Sequence, residues 1–234
     1  YGNFVPTPAF HLARILASMK SADGVVQIDG FYDGVELSDE TREILNNVPD
    51  DEAAILAAMG VSGADAVGQS LQEALQYPSL NVRGMAAGWV GEASRTIIPP
   101  SATAEIDIRL VAESDPQRII DLVRQHVIDQ GFHVIDRQPD DAERAEFPRI
   151  ASFTYDISYG AFRSDFDAVA GQFARAGMRH LYGEEPILIR SMGGSIPIAP
   201  IIEALDIPAA TVPTPASATN FTLIRAAWLI VLRS

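Results

Sequence analysis

Hydrophobic and polar positions follow two rhythms along this chain, and the rhythms sort much of it into elements. After Pro8, residues Phe10, Ala13, Leu16 and Ala17 recur at the spacing of one helical face, and proline suits a first helical turn, so a helix is predicted up to Lys20. Asp23-Gly24 turns the chain into a short apolar strand over 25–28, which Asp29-Gly30 ends. A strand begins at 79–83. Over 103–111 the alternation is nearly perfect, with Ala104, Ile106, Ile108 and Leu110 on one face and Glu105, Asp107 and Arg109 on the other, the mark of a half-buried antiparallel strand. Asp115-Pro116 supplies a helix cap and a first-turn proline, after which Ile119, Ile120, Val123, Val127 and Ile128 form an apolar stripe that Gly131 terminates. Strands at 132–135 and near 150–157 complete the order strand, strand, helix, strand. That order predicts an α+β fold, an antiparallel sheet with two helices packed on one face.

Two stretches depart from this plan. Residues 38–77 are acidic and alanine-rich; Ser38 is a natural N-cap with Asp39 and Glu40 in the first turn, and Asp51-Glu52-Ala53-Ala54 opens a second helix, so an exposed helical insertion is expected until Tyr77-Pro78 stops it. Beyond Ser164 come a long helix to about Tyr182, a strand at 187–190, a glycine turn, a helix over 197–205 and a strand at 209–212, the alternation of a parallel α/β layer. The expected division is therefore a first domain over 1–162 and a partial α/β segment over 163–234. The final apolar run, 221–232, contains Arg225 and falls short of the roughly 20 residues a membrane span requires, so it reads as a buried helix.

Composition narrows the function classes. With 234 residues and 47% hydrophobic content the chain can bury a core. A formal charge of -14 repels phosphate backbones and anionic lipid, which argues against nucleic-acid and membrane partners. The lack of cysteine removes disulfides, thiolate ligands and a cysteine nucleophile, and suits a reducing, cytoplasmic setting. The opening Tyr1-Gly2-Asn3-Phe4-Val5-Pro6 has no basic stretch followed by an apolar run, and reads as a chain entered partway through.

Candidate chemistry is sparse. His11, His126, His133 and His180 fall in no spacing that would aim two ligands at one metal, so no self-sufficient metal site is expected. The acidic pairs Asp50-Asp51, Asp140-Asp141 and Glu184-Glu185 sit in polar loops and read as solvated. Gly194-Ser195 lies between a strand and a helix, but a nucleophile elbow needs Gly-x-Ser-x-Gly and here Ile196 and Pro197 follow the serine. The Gly193-Gly194-Ser195-Ile196-Pro197 run does let backbone amides approach an anionic ligand at a helix N-terminus, and it equally suits a plain tight turn. Arg109, on the polar face of its strand, is either an ordinary surface arginine or a fork for a carboxylate.

Several segments taken together resemble the M20 zinc exopeptidases, which include the carnosinase-like dipeptidases: Tyr1-Gly2 through Met19 with Asp23-Gly24, Gly30-Phe31-Tyr32-Asp33, Tyr77-Pro78-Ser79-Leu80, Thr96-Ile97-Ile98-Pro99, Ile108-Arg109-Leu110-Val111 and the glycine turn. The resemblance implies a ferredoxin-like lid and dimerisation domain followed by the last part of a catalytic domain. It further implies that Arg109 grips a substrate carboxylate, that Thr96 lies near a site shared across a homodimer, and that Gly193, Gly194 and Ser195 contact a peptide or dipeptide substrate. Two zinc ions are expected in a full-length parent and none on this chain. The family's His-x-Asp, bridging Asp and Glu-Glu ligands would precede Tyr1, and after Thr214 the segment Pro215-Ala216-Ser217-Ala218-Thr219-Asn220 leads on without the histidine that the family carries. The implied function is the substrate-gripping and dimerisation portion of a metal-dependent dipeptidase, with no catalytic residue of its own and inactive alone; the alternative is a non-catalytic dimerisation or ligand-binding module.

Overall fold

A computed structural model describes residues 1–192, 198–212 and 228–232. The fold mixes helices with small sheets, and the chain divides into two compact units. The first comprises Tyr1–Asp33, Pro78–Arg109 and Asp115–Asp156; the second comprises Gly34–Tyr77, Leu110–Ser114 and Ile157–Ser234. The acidic segment 38–77 thus groups with the C-terminal residues.

In the first unit, α1 (Pro8–Met19) starts on its proline and buries Ile15 and Met19. A strand was expected over 25–28, but the chain there makes only an isolated antiparallel bridge, Lys20 to Val26. Val26 and Ile28 are nonetheless buried, so the apolar alternation serves packing without a ladder. Strands β1 (Ser79–Ala86) and β2 (Thr103–Arg109) pair antiparallel from Ser79 opposite Arg109 to Ala86 opposite Thr103, with an irregularity between Val82 and Gly84. In β2 the residues Ala104, Ile106 and Ile108 are half-buried and Glu105 and Arg109 exposed, as alternation requires, while Asp107 on the polar side is half-buried as well.

Helix α5 is the best-specified element of this unit. Between β2 and it come no further helices of the first unit; counting in chain order, α2 (Asp39–Asn46), α3 (Glu52–Met59) and α4 (Leu71–Ala74) belong to the second. α5 (Pro116–Asp129) is capped by Asp115, whose side chain accepts from the Arg118 N–H, and buries Ile119, Val123 and Val127. It is followed at Gly131 by a left-handed φ of +82°, a conformation that strains any residue with a side chain and so favours glycine. The helix packs on β3 (His133–Ile135), which pairs with β4 (Ile150–Ser152) in parallel. A single sheet was expected; hydrogen bonding instead gives two separate two-stranded ladders, β1-β2 and β3-β4. The intervening α6 (Asp141–Glu146) opens with a capping box between Asp140 and Glu143.

In the second unit, Ser38, Asp51 and Ser70 cap α2, α3 and α4 through their side-chain oxygens, the caps at Ser38 and Asp51 being those the composition predicts. The insertion is only partly exposed: α3 buries nothing, whereas Leu45, Val48, Gln72, Glu73 and Gln76 are buried. Val48 packs with Ile189 of β5 (Ile187–Ile189) and with Ile187. The long helix α7 (Val169–Tyr182) lies against β6 (Ala209–Thr211) and β7 (Trp228–Leu232), and α8 (Ala199–Leu205) precedes β6. The sheet order is β5-β7-β6, with β5-β7 parallel and β6-β7 antiparallel, so the layer is mixed where a parallel one was expected. The cause is β7: residues 228–232 form a strand, which corrects that part of the reading of 221–232 as a buried helix, while 221–227 lie outside the described residues. Trp-Leu-Ile-Val-Leu is a short apolar run that includes an aromatic and two β-branched residues, which a sheet accommodates well. Among the described residues no helix is long and apolar enough to cross a membrane.

Candidate functional site

Arg109 closes β2, opposite Ser79, at the end of the hairpin farthest from its connection. Its side chain is 56% exposed, and its Nε donates to Asp107 Oδ2 at 2.7 Å, two residues back on the same polar face. Such a pair contributes little to stability, about 0–1 kcal/mol, but it orients the guanidinium along the strand. Thr96 sits at a bend in the 87–102 connection, after a 3-10 turn (Gly91–Ala93), and is exposed. That connection enters β2 at Thr103, six residue steps from Arg109, or roughly 20 Å along an extended strand. Arg109 thus lies at the strand end remote from that connection. The third expected element, Gly193, Gly194 and Ser195, lies outside the described residues.

Each histidine but one has a structural partner. His11 meets the Phe132 ring edge-on, His133 stacks on Phe147 at 3.7 Å, and His126 Nε2 lies 2.9 Å from Ser18 Oγ, linking α5 to α1. His180 is exposed near the end of α7. Among the described residues no group of three or more His, Asp or Glu side chains comes together in a way that could hold a metal ion.

Pattern reading missed a polar cluster in the second unit. Arg163 forms a two-pronged pair with Glu113, and Arg190 Nη2 lies 3.7 Å from the same carboxylate. Burial alone would raise the Glu113 carboxyl; the hydrogen bond and charge of Arg163, with the charge of Arg190, hold it below its ordinary value. Arg190 shifts down, first through burial and then through the like charge of Arg163, with Glu113 and Asp165 opposing. Gln76, fully buried, accepts from Arg190 and Ser191. A neutral amide meeting an arginine carries no sequence periodicity, and only the apolar flanks of 187–190 gave a hint of burial there.

The profile of the peptidase dimerisation domain of the M20 peptidases matches residues 1–133. The chain belongs to the M20 peptidase family. Among its relatives, it is 26% identical over 201 residues to the Cys-Gly metallodipeptidase DUG1 of Saccharomyces cerevisiae, covering 85% of this chain and 39% of that protein. It is 22% identical over 206 residues to the Beta-Ala-His dipeptidase of Rattus norvegicus, covering 87% and 39%. Among solved structures, the M20 family metallo-carboxypeptidase Sso-CP2 from Sulfolobus solfataricus superposes with a TM-score of 0.65 at 26% identity, over 88% of this chain and 44% of that one. Human carnosine dipeptidase 1 does so with a TM-score of 0.63 at 22% identity, over 88% and 42%. This M20 chain spans about two fifths of the length of the curated relatives it matches.

Proposed function

We propose that this chain is the substrate-gripping and dimerisation portion of a metal-dependent dipeptidase or exopeptidase, acting in the cytoplasm, and that it does not hydrolyse peptides alone. The observation that carries the reading is the dimerisation-domain match over 1–133, which includes an exposed Arg109 at a strand end. A guanidinium fork is suited to a substrate carboxylate, and Asp107 would orient it until the substrate competes for it. On this reading the ferredoxin-like lid forms a homodimer, and Thr96 serves a site completed by the second copy. Gly193, Gly194 and Ser195 would contact the substrate backbone. Two zinc ions, when bound by such an enzyme, supply a polarised water for attack on the peptide carbonyl. No residue described in this chain is assigned to them.

Light scattering during size-exclusion chromatography and a dipeptidase assay test the proposal together. A dimer with no turnover on added zinc or manganese is expected. Chelator-sensitive hydrolysis by the chain would overturn the claim of inactivity, and a strict monomer at high concentration would overturn the claim of dimerisation.

A further inference from the structure

Gln76 has no exposed surface at all, and a buried amide persists only where its polar atoms are matched. Both ends are matched here. Its Nε2 donates to the Gln72 carbonyl at 2.9 Å, while its Oε1 accepts from Arg190 Nη1 at 2.6 Å and from Ser191 Oγ at 3.4 Å. The two donors follow directly on β5 and stand 114 and 115 positions away in sequence. Arg190 is met on its other side by Glu113, which Arg163 already engages, so the guanidinium bridges two acceptors from different parts of the unit. An apolar side chain could fill the space of Gln76 with no polar matching to satisfy, so packing alone does not account for a glutamine there. What a glutamine adds is a fixed acceptor for two donors at one strand end, without a second negative charge beside Glu113.

We propose that Gln76 is a positioning residue: by holding Arg190 and Ser191 it fixes the end of β5, from which the chain passes through Met192 into Gly193-Gly194-Ser195. The proposal rests on the reading of that glycine run as a substrate grip.

Amide hydrogen exchange on the 234-residue chain tests this directly. Gln76→Leu is expected to speed exchange in peptides covering 187–192 by about tenfold or more, the effect of losing one hydrogen bond to a charged donor, while peptides from α7 stay at the wild-type rate. Gln76→Glu keeps an acceptor for Arg190 but loses the donor to the Gln72 carbonyl and adds a charge beside Glu113, so it is expected to restore slow exchange at 187–192 only in part. Unchanged exchange there in Gln76→Leu overturns the proposal. So does an equal rise throughout the second unit that Gln76→Glu does not rescue, since that is the mark of packing alone. If Gln76→Leu fails to fold, Arg190→Lys takes its place: local acceleration at 187–192 supports the anchor, and wild-type exchange refutes it. Glycylglycine added to the wild-type chain tests the grip itself through protection of peptides covering 193–197. Absence of that protection would sink the grip while leaving the anchor to be judged at 187–192.

Discussion

The two units bury different chemistry. In the first, the buried side chains are apolar: Ile15, Met19, Val26, Ile28, Phe31, Leu80, Ile119, Val123, Val127 and Val134. In the second, Leu45, Val48, Met178, Ile189, Ala199 and Ile202 share the interior with all four buried polar residues found among the described positions, Gln72, Glu73, Gln76 and Ser164. Apolar burial is graded and forgiving, because each lost methylene removes a similar increment. A buried polar network is closer to all or none, because removing one partner strands the other. The units should therefore respond differently to the same kind of damage.

The largest effect is expected at Phe31, 1% exposed in the first unit. Phe31→Ala should cost about 3–5 kcal/mol, the range for truncating a buried aromatic, read from urea unfolding followed by circular dichroism. A cost below about 1 kcal/mol would mean that the apolar interior is not what holds that unit. In the second unit, Gln76→Leu and Arg190→Met should each cost about 1–3 kcal/mol by stranding a partner, while the double variant should cost less than the sum, since both polar ends are then gone. Strict additivity would show that the pair is not coupled and would remove the contrast between the units.

Acid sharpens the contrast. The Glu113 carboxyl lies below its ordinary value of 4.5 in the folded protein. The unfolded chain therefore binds the proton more readily, so the stabilisation is complete above about pH 4.5 and is lost as pH falls through the lower folded value. Unfolding of the second unit should thus steepen below that point, and Glu113→Gln should flatten the dependence while lowering stability at neutral pH. Equal acid profiles for wild type and Glu113→Gln, measured by thermal melts across pH 3–7, would show that this carboxylate is not the linked group.

The same contrast explains what could be read from the sequence. Helices α1 and α5 and strand β2 announce themselves because their apolar residues repeat at the period of the element and because Pro8, Asp115 and Pro116 mark the starts. The position of Arg109 on the polar side of β2 was legible for the same reason. Residues 228–232 misled, because a short run of uniformly apolar residues has no period to distinguish strand from helix. The single expected sheet split into two ladders because ladder pairing depends on register between distant segments, which composition does not encode. Gln76 and Arg190 could not be paired in advance, since a hydrogen bond spanning 114 positions leaves no local trace.

The smallest expected change in stability is also the one that bears most on function. Arg109→Ala removes an exposed pair with Asp107 and should alter unfolding free energy by less than about 1 kcal/mol. If Arg109 grips a carboxylate, the same substitution should weaken binding of glycylglycine by about tenfold or more, the scale of one charge-assisted contact, and an amidated dipeptide lacking the carboxylate should bind wild type and variant alike. Arg109→Lys separates charge from geometry: partial recovery is expected, because an ammonium supplies attraction without the planar fork. Equal loss for the free and amidated ligands would instead place Arg109 in the fold of the hairpin end, and the first unit would then contribute a surface for pairing but no hold on the substrate.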